Sequence, residues 1–317
     1  MTDTYVITGG AGFIGSHIAA RLLQDGHSVR VIDNMLTGKQ EHLDYLHSLN
    51  GDYSYHRVSV TDLDALQPIF KGVDYVLHQA ALPSVPRSID NPLETHEHSA
   101  TGTLNVLIAA RDNDIKRVAY AASSSAYGDL QGEYKTEDMP PRPISPYAVA
   151  KLTGEYYCQV FTEVYGLETV GLRYFNVFGP RQDPTSQYAA VIPKFITAML
   201  QGKAATIYGD GHTSRDFTYI DNVIHGNLLA LRAPDAAGEI MNMATGGRIS
   251  LLDLIDKINA LLGTSIQPVH EDERPGDIKH SRAGIDKARD LLDFSPVVDF
   301  DDGLARTLEY YRQNLSI

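Results

Sequence analysis

Apolar runs and helical spacings alternate along the first half of the chain. Tyr5-Val6-Ile7 is strand-like, Phe13, Ile14 and Ile18 recur at helical spacing before Leu22-Leu23, and Ser28 to Ile32 reads as a second strand. Further strand patterns follow at Tyr53 to Val60, Val73 to Ala81 and Arg117 to Ser123, with helical patterns near Leu63 to Phe70 and Thr101 to Arg111. This alternation predicts an α/β fold built on a Rossmann-like doubly wound parallel sheet, in which ligands lie beyond the carboxyl ends of the strands. Asp62, His78-Gln79-Ala80-Ala81 and Ser123-Ser124-Ser125 should then line one crevice. After about Gly179 the alternation loosens, with Pro180, Pro184 and Pro193 and a loop at Tyr208-Gly209-Asp210-Gly211, which predicts a smaller α/β substrate-binding lobe. Val223 to Leu231 and Ile240 to Ala244 return to the first lobe, while Leu251 to Leu262 and Gly303 to Tyr311 read as amphipathic helices elsewhere. The expected division is a Rossmann domain over 1–178, with 220–245 returning to it, and a second lobe over 179–219 and 246–317.

Composition narrows the partners. The 317 residues are 43% hydrophobic, enough for a substantial core, and 27 basic against 40 acidic residues leave a formal charge of −13. That charge disfavours nonspecific binding to nucleic acid or anionic membranes, so an anionic ligand must be held by a few local arginines. Met1-Thr2-Asp3-Thr4 runs straight into the first strand and no apolar stretch is long enough to cross a bilayer, so no membrane attachment and a cytoplasmic location are expected. The single cysteine, Cys158, excludes an internal disulfide and reads as a buried thiol within a helix. His96-Glu97-His98 does not put two imidazoles on one helical face and no HExxH pattern occurs, so no metal is assigned.

Two constellations carry chemistry. Thr8-Gly9-Gly10-Ala11-Gly12-Phe13-Ile14-Gly15 sits between a strand and a helix, where only a bare backbone fits. Gly9 would make the tight turn, Gly12 would admit a pyrophosphate to the helix N-terminus, and Gly15 would let helix and sheet pack closely. Asp33 ends the second strand 18 positions after Gly15, where a carboxylate can take ribose hydroxyls and repel a 2′-phosphate; this favours NAD over NADP, with Lys39 a counter-signal. The second constellation is Ser145-Pro146-Tyr147-Ala148-Val149-Ala150-Lys151, with Ser145 as N-cap and Pro146 at the first helical position. One turn apart, the Lys151 ammonium, with the cofactor's own positive charge helping, would lower the Tyr147 phenol from about 10, making it a base, and Ser123 could share a substrate oxygen with it. On an ordinary helix Lys151 would merely pair with Glu155 at the solvent.

These residues resemble the extended short-chain dehydrogenases/reductases, and within them the nucleotide-sugar 4-epimerases of the UDP-glucose and UDP-N-acetylglucosamine type. The resemblance spans nearly the whole chain, through Asp33-Asn34, Asp62, His78 to Ala81, Ser123 to Gly128, Tyr147-x-x-x-Lys151, Arg173 to Arg181, Gly209-Asp210-Gly211, Arg215-Asp216-Phe217 and Arg274-Pro275-Gly276-Asp277. It implies NAD held by Gly9, Gly12, Phe13, Ile14, Gly15, Asp33, Asn34, Asp62, Ala80, Ala81, Tyr147 and Lys151, with Asp62 at the adenine amine. It implies a UDP-sugar substrate contacted by Ser84, Ser123, Ser124, Ser125, Tyr147, Asn176, Ala190, Val191, Tyr208, Arg215, Arg274, Asp277 and Ser281. Arg215 and Arg274 would clamp the pyrophosphate and Asp277 the uridine ribose. In the implied reaction Tyr147 takes the 4-hydroxyl proton while C4 gives hydride to NAD, the 4-keto sugar rotates, and hydride returns to the opposite face.

Ser281, seven residues after Arg274, occupies the position that in the resembled family gates the sugar C2 substituent; a small residue there favours UDP-N-acetylglucosamine, with UDP-glucose also open. Ser124-Ser125-Ala126 lacks the extra carboxylate that related dehydratases and decarboxylases carry, which counts against both. A UDP-glucuronate 4-epimerase and a catalytically silent nucleotide-sugar-binding protein remain alternatives. His96 to Thr103 lacks an asparagine usual in relatives; His98 or Ser99 could substitute, or this surface could face solvent. Relatives pair through two helices, so a homodimer is expected, with Leu104, Leu107, Ile108, Tyr156, Val160 and Val164 either at its interface or in the core.

Overall fold

A computed structural model of the chain describes residues 2–130, 132–185, 190–273 and 280–315. Seven strands form the central sheet: β1 (Thr4–Thr8), β2 (Ser28–Ile32), β3 (Tyr53–His56), β4 (Tyr75–His78), β5 (Arg117–Ser123), β6 (Glu168–Tyr174) and β7 (Ile240–Met243). Their order is β7-β6-β5-β4-β1-β2-β3 and every pairing is parallel. Chain order reverses between β1 and β4, which opens a crevice at the carboxyl edge. The strands are shorter than the apolar runs that announce them: β3 stops at His56, opposite the last residue of β2, and β4 at His78, opposite the last residue of β1 although β5 runs on to Ser123.

Successive strand residues bury on opposite faces, which is why the strands read as continuous apolar runs. On one face Tyr5, Ile7, Val29 and Val31 pack with α1 (Phe13–Gln24), α2 (Gln40–Ser48) and α9, named below. On the other, Val6, Val76, Val118 and Tyr120 pack with α3 (Leu63–Phe70), α6 and α7. Two short helices, α4 (Val85–Asp90) and α5 (Pro92–His96), lead through a wide, π-helical turn at Glu97–Thr101 into α6 (Gly102–Asp112), and α7 spans Pro146–Tyr165. Cys158 is a buried thiol inside α7. Beyond β6 come α8 (Val191–Leu200), α9 (Ile220–Ala230), α10 (Leu251–Leu262), α11 (Asp286–Leu292) and α12 (Phe300–Asn314). Among the described residues no helix is long and apolar enough to cross a membrane.

The wide turn corrects one expectation: Ser99 does not face solvent but is buried, and His98 lines the cavity described below. A hydrogen-bond relay explains how this turn is tied to the sheet. Thr103 Oγ1 donates to the Ser99 carbonyl at 2.6 Å, so it accepts from His78 Nε2 at 2.9 Å. His78 Nδ1 must then accept from Thr8 Oγ1 at 2.6 Å, and Thr8 Oγ1 accepts from Ala80 N at 3.2 Å. The buried, neutral imidazole thus holds the carboxyl ends of β1 and β4 to the start of α6.

Burial and the neighbouring Lys151 charge push His78 down to about 3; burial and Arg181 do the same to His17, also to about 3. Both folded values lie below the ordinary histidine value near 6.5, so the unfolded chain takes up protons first as pH falls. Stability should be full above about pH 6.5 and decline toward pH 3, by about 1.4 kcal/mol per pH unit for each of these histidines. Urea unfolding across pH 7 to 5 checks this, and a flat profile would count against it.

Candidate active site

The glycine turn is shaped by close backbone approach. Gly9 has φ +70°, its N–H donates to the Ile32 carbonyl at 2.7 Å, and Gly12 N donates to the Gly9 carbonyl at 3.0 Å. A Cβ on Gly9 would lie 2.7 Å from Ala80 N, and one on Gly15 only 2.3 Å from the Gly9 oxygen. Both positions therefore need glycine. Gly12 caps α1 with extended backbone and no side-chain cap, so the first amides of the helix remain for an anion. Asp33 ends the neighbouring strand with its carboxylate accepting Ala11 N at 3.0 Å and Met35 N at 2.8 Å. Burial raises its pKa and these two bonds pull back down. Lys39, the counter-signal for NADP, is drawn 2.7 Å from Asp183 across the cleft. Asp183 falls to about 2 although burial works against it, because Lys39 and Thr185 bond its ionised form.

Across the same crevice, α7 begins at Ser145, whose Oγ accepts Ala148 N at 3.2 Å, with Pro146 at the first position. Tyr147, Lys151 and Glu155 follow at one-turn spacing along one face. Lys151 is buried; its Nζ donates to the Ala121 carbonyl at 2.7 Å and lies 5.0 Å from the Tyr120 ring. Burial lowers it to about 8 while Glu155 opposes the fall. Tyr147 departs from expectation: burial raises its pKa, and the group pulling it down is the Ser123 hydroxyl, not Lys151. Ser123 ends β5, and its Oγ accepts from Ser125 N at 3.2 Å and Ser125 Oγ at 2.9 Å, leaving its own proton to donate into the cavity.

These groups line a cavity of about 520 Å³ with Gly9, Gly12, Phe13, Ile14, Gly15, Asp33, Asn34, Ala80, Ala81, Ser84, Ser123, Tyr147, Lys151, Asn176 and Ala190 among its walls. Asn176, Val177 and Ala190 also line a second cavity of about 550 Å³, bounded further by Val191, Phe195, Tyr208, Arg215, Phe217 and Leu251. Asn176 has φ +34°, and its Nδ2 donates to the Asp216 carbonyl at 3.0 Å, which leaves its amide oxygen for a ligand. Asp216 is itself fully buried and accepts Thr245 N, Thr245 Oγ1 and Ala283 N, tying three segments together behind Arg215.

Several expected residues lie elsewhere. Asp62 is exposed, caps α3 with its Oδ1 accepting Ala65 N at 3.0 Å, and does not line the cavity. His78 is buried in the relay above instead of lining the crevice, and Ser124 and Ser125 stand behind Ser123 in a 3-10 turn. Ser281 lines neither cavity; it pairs in register with Arg215 on a neighbouring short strand, and its carbonyl accepts Asp216 N at 2.8 Å. Arg274 and Asp277 lie outside the described residues. The cavity also draws in Arg87, His98, Tyr174 and Asp183, which sequence reasoning did not select. Only the unexplained charge of Lys39 hinted at Asp183. No group of three or more histidine, cysteine or acidic side chains among the described residues could hold a metal ion.

The glycine turn, the free helix N-terminus and Asp33 fit a dinucleotide, and comparison with known proteins agrees. The model of the NAD dependent epimerase/dehydratase family matches residues 5–244. A solved UDP-N-acetylglucosamine 4-epimerase from Methanobrevibacter ruminantium M1, in complex with UDP-N-acetylmuramic acid, shares 41% identity, with 99% of this chain and 100% of that one covered and a TM-score of 0.94. A UDP-glucose 4-epimerase with UDP-glucose from Thermotoga maritima shares 34% identity at 99% and 100% coverage, TM-score 0.93. A UDP-glucuronic acid 4-epimerase from Bacillus cereus, in complex with UDP-glucuronic acid and NAD, shares 34% at 98% and 100% coverage, TM-score 0.90.

Proposed function

The chain belongs to the NAD dependent epimerase/dehydratase family, and we propose that this NAD-dependent nucleotide-sugar 4-epimerase interconverts UDP-N-acetylglucosamine and UDP-N-acetylgalactosamine, with UDP-glucose a lesser substrate. The observation that carries this reading is the joining of the two cavities at Asn176, Val177 and Ala190, with Tyr147 and Ser123 in the first and Arg215 in the second. A nucleotide diphosphate in the second cavity would hold its sugar against Tyr147. NAD, bound along Gly9, Gly12, Phe13, Ile14, Gly15, Asp33, Asn34, Ala80 and Ala81, would supply the hydride acceptor and donor. Tyr147 takes the proton of the sugar 4-hydroxyl and later returns it, so protons balance over a turnover. Ser123 donates to the same oxygen, Lys151 holds positive charge beside the phenolate, and Arg215 meets the diphosphate. The sugar-nucleotide half is assigned to 179–219 and 246–317.

A neutral sugar is favoured over a glucuronate by the charges on the cavity wall. Besides Lys151, the described lining residues include the basic side chains Lys39 and Arg87, and each is held by a carboxylate: Lys39 by Asp183 at 2.7 Å and Arg87 by Glu94 at 3.3 Å. A sugar carboxylate entering there would compete with both. The acetylated sugar is supported by the small residue Ser281 at the position that gates the sugar C2 substituent in the resembled epimerases, set in register beside Arg215 of the second cavity. It is supported too by the 41% identity to the Methanobrevibacter enzyme.

Exposed apolar residues support a homodimer. Tyr156, Val160 and Val164 stand 53%, 45% and 64% exposed along α7, and Ile89 of α4 and Leu93 of α5 stand 63% and 82% exposed. Leu107, a candidate from the sequence, is core instead, and Leu104 and Ile108 are partly buried against it. Beside α7 and α6, α4 and α5 thus add exposed apolar area to the proposed interface.

Four outcomes are expected. Incubated separately with UDP-N-acetylglucosamine, UDP-glucose and UDP-glucuronate, the protein should give UDP-N-acetylgalactosamine at the highest kcat/KM by NMR; conversion of UDP-glucose alone would sink the acetylated assignment, and bound NAD without any turnover would favour a binding protein. Tyr147→Phe should lower kcat by about 10²- to 10⁴-fold while NAD stays bound. Ser281→Tyr should cost the acetylated sugar at least about tenfold in kcat/KM relative to UDP-glucose. Light scattering should find a dimer that Val160→Glu converts to monomer.

A further inference from the structure

Behind Lys151 lies an ion pair that the reaction above does not use. Glu155, one turn further along α7, is 2% exposed, and Arg173 of β6 grips it at both oxygens, Nε to Oε1 at 2.9 Å and Nη2 to Oε2 at 2.7 Å. Arg173 is buried as well, stacks 4.6 Å over the Tyr127 ring and leaves Nη1 without a partner. Burying two charges in this way adds little stability over an apolar pair of the same size, so stability alone is a weak reason for it. Its position gives a stronger one: three buried charges run in series, Lys151, Glu155, Arg173, and the carboxylate separates two cations.

We propose that Glu155, held ionised by Arg173, is a positioning residue that keeps the Lys151 ammonium protonated beside Tyr147 during catalysis. The groups packed around Lys151 leave Glu155 alone in this role. His78 on β4 is neutral down to about pH 3, and burial pushes the Tyr120 phenol on β5 and the Cys158 thiol on α7 well up, so neither supplies an anion. Tyr147 and the His98 imidazole on the turn at Glu97–Thr101 complete the set. Burial raises the Glu155 carboxyl, and the two bonds from Arg173, with its charge, pull it back toward the ionised form. Tyr127 in turn caps Arg173, with its OH donating to Asn242 Oδ1 at 2.7 Å.

This rests on Tyr147 and Lys151 being the acid–base pair proposed above. The test is the pH profile of kcat for Glu155→Gln, measured on protein that retains NAD. Removing the carboxylate should move the alkaline limb to lower pH by about one unit or more, since an adjacent opposite charge shifts a buried group by about that much. KM for the UDP-sugar should stay the same, and Glu155→Asp should restore most of the profile. Should Glu155→Gln not fold, the double variant Glu155→Met with Arg173→Leu removes both charges without leaving either unpaired, and it should displace the limb in the same direction by less, because the nearer carboxylate outweighs the farther guanidinium. Profiles that superimpose on the wild type overturn the proposal. Tyr147→Phe separates the two failures: a fully active Tyr147→Phe defeats the acid–base reading itself, whereas an inactive one with an unmoved Glu155 profile defeats only the role of Glu155.

Discussion

The contact on which the site depends is the passage of the first turn against the neighbouring strand end, where the Gly9 Cα lies so near Ala80 that no side chain fits, and where Gly15 meets the Gly9 carbonyl equally closely. That approach brings α1 down onto β1, sets the free amides of the helix at the sheet edge, and fixes the distance from them to Asp33. The His78 relay holds the same edge from the other side. Because Thr8, His78, Ala80 and Thr103 satisfy one another with a single neutral imidazole, β1, β4 and the start of α6 are braced without a buried charge.

Charge is used sparingly and in pairs. The chain as a whole is acidic, at −13, yet its ligands are anionic nucleotides. Long-range attraction cannot gather them, so recognition must be local: backbone amides at the glycine turn, Arg215 in the second cavity, and a wall on which Lys39 and Arg87 are already matched. Lys151, the cation proposed for the chemistry, donates to a carbonyl, lies over an aromatic ring and feels the Glu155 carboxylate one turn away.

Much of the site was legible in the sequence because its determinants are local. The glycine spacing needs only neighbouring backbone, the Ser145-Pro146 start needs only the helix it begins, and Tyr147 to Lys151 is one turn of that helix. Asp62 has a second local role that the sequence also encodes: a carboxylate before an apolar helix is an N-cap, and its Oδ1 accepts Ala65 N. Spacing along a helix says nothing about burial, which raises the Tyr147 phenol against the pull of the Ser123 bond, while Lys151 Nζ donates to the Ala121 carbonyl.

By itself the sequence determined the parallel α/β sheet, the dinucleotide turn with its acidic partner, and the presence of Ser123, Tyr147 and Lys151 on strand and helix ends, since each follows from periodicity or from spacing within one element. Tertiary structure alone decided which polar groups meet: Lys39 with Asp183, Glu155 with Arg173, His78 with Thr8 and Thr103. It decided as well that Leu107 is core while Tyr156 and Val164 stay exposed. Pairings between distant segments depend on how sheet and helices stack, and desolvation depends on everything packed around a group; neither quantity is contained in a local stretch of chain.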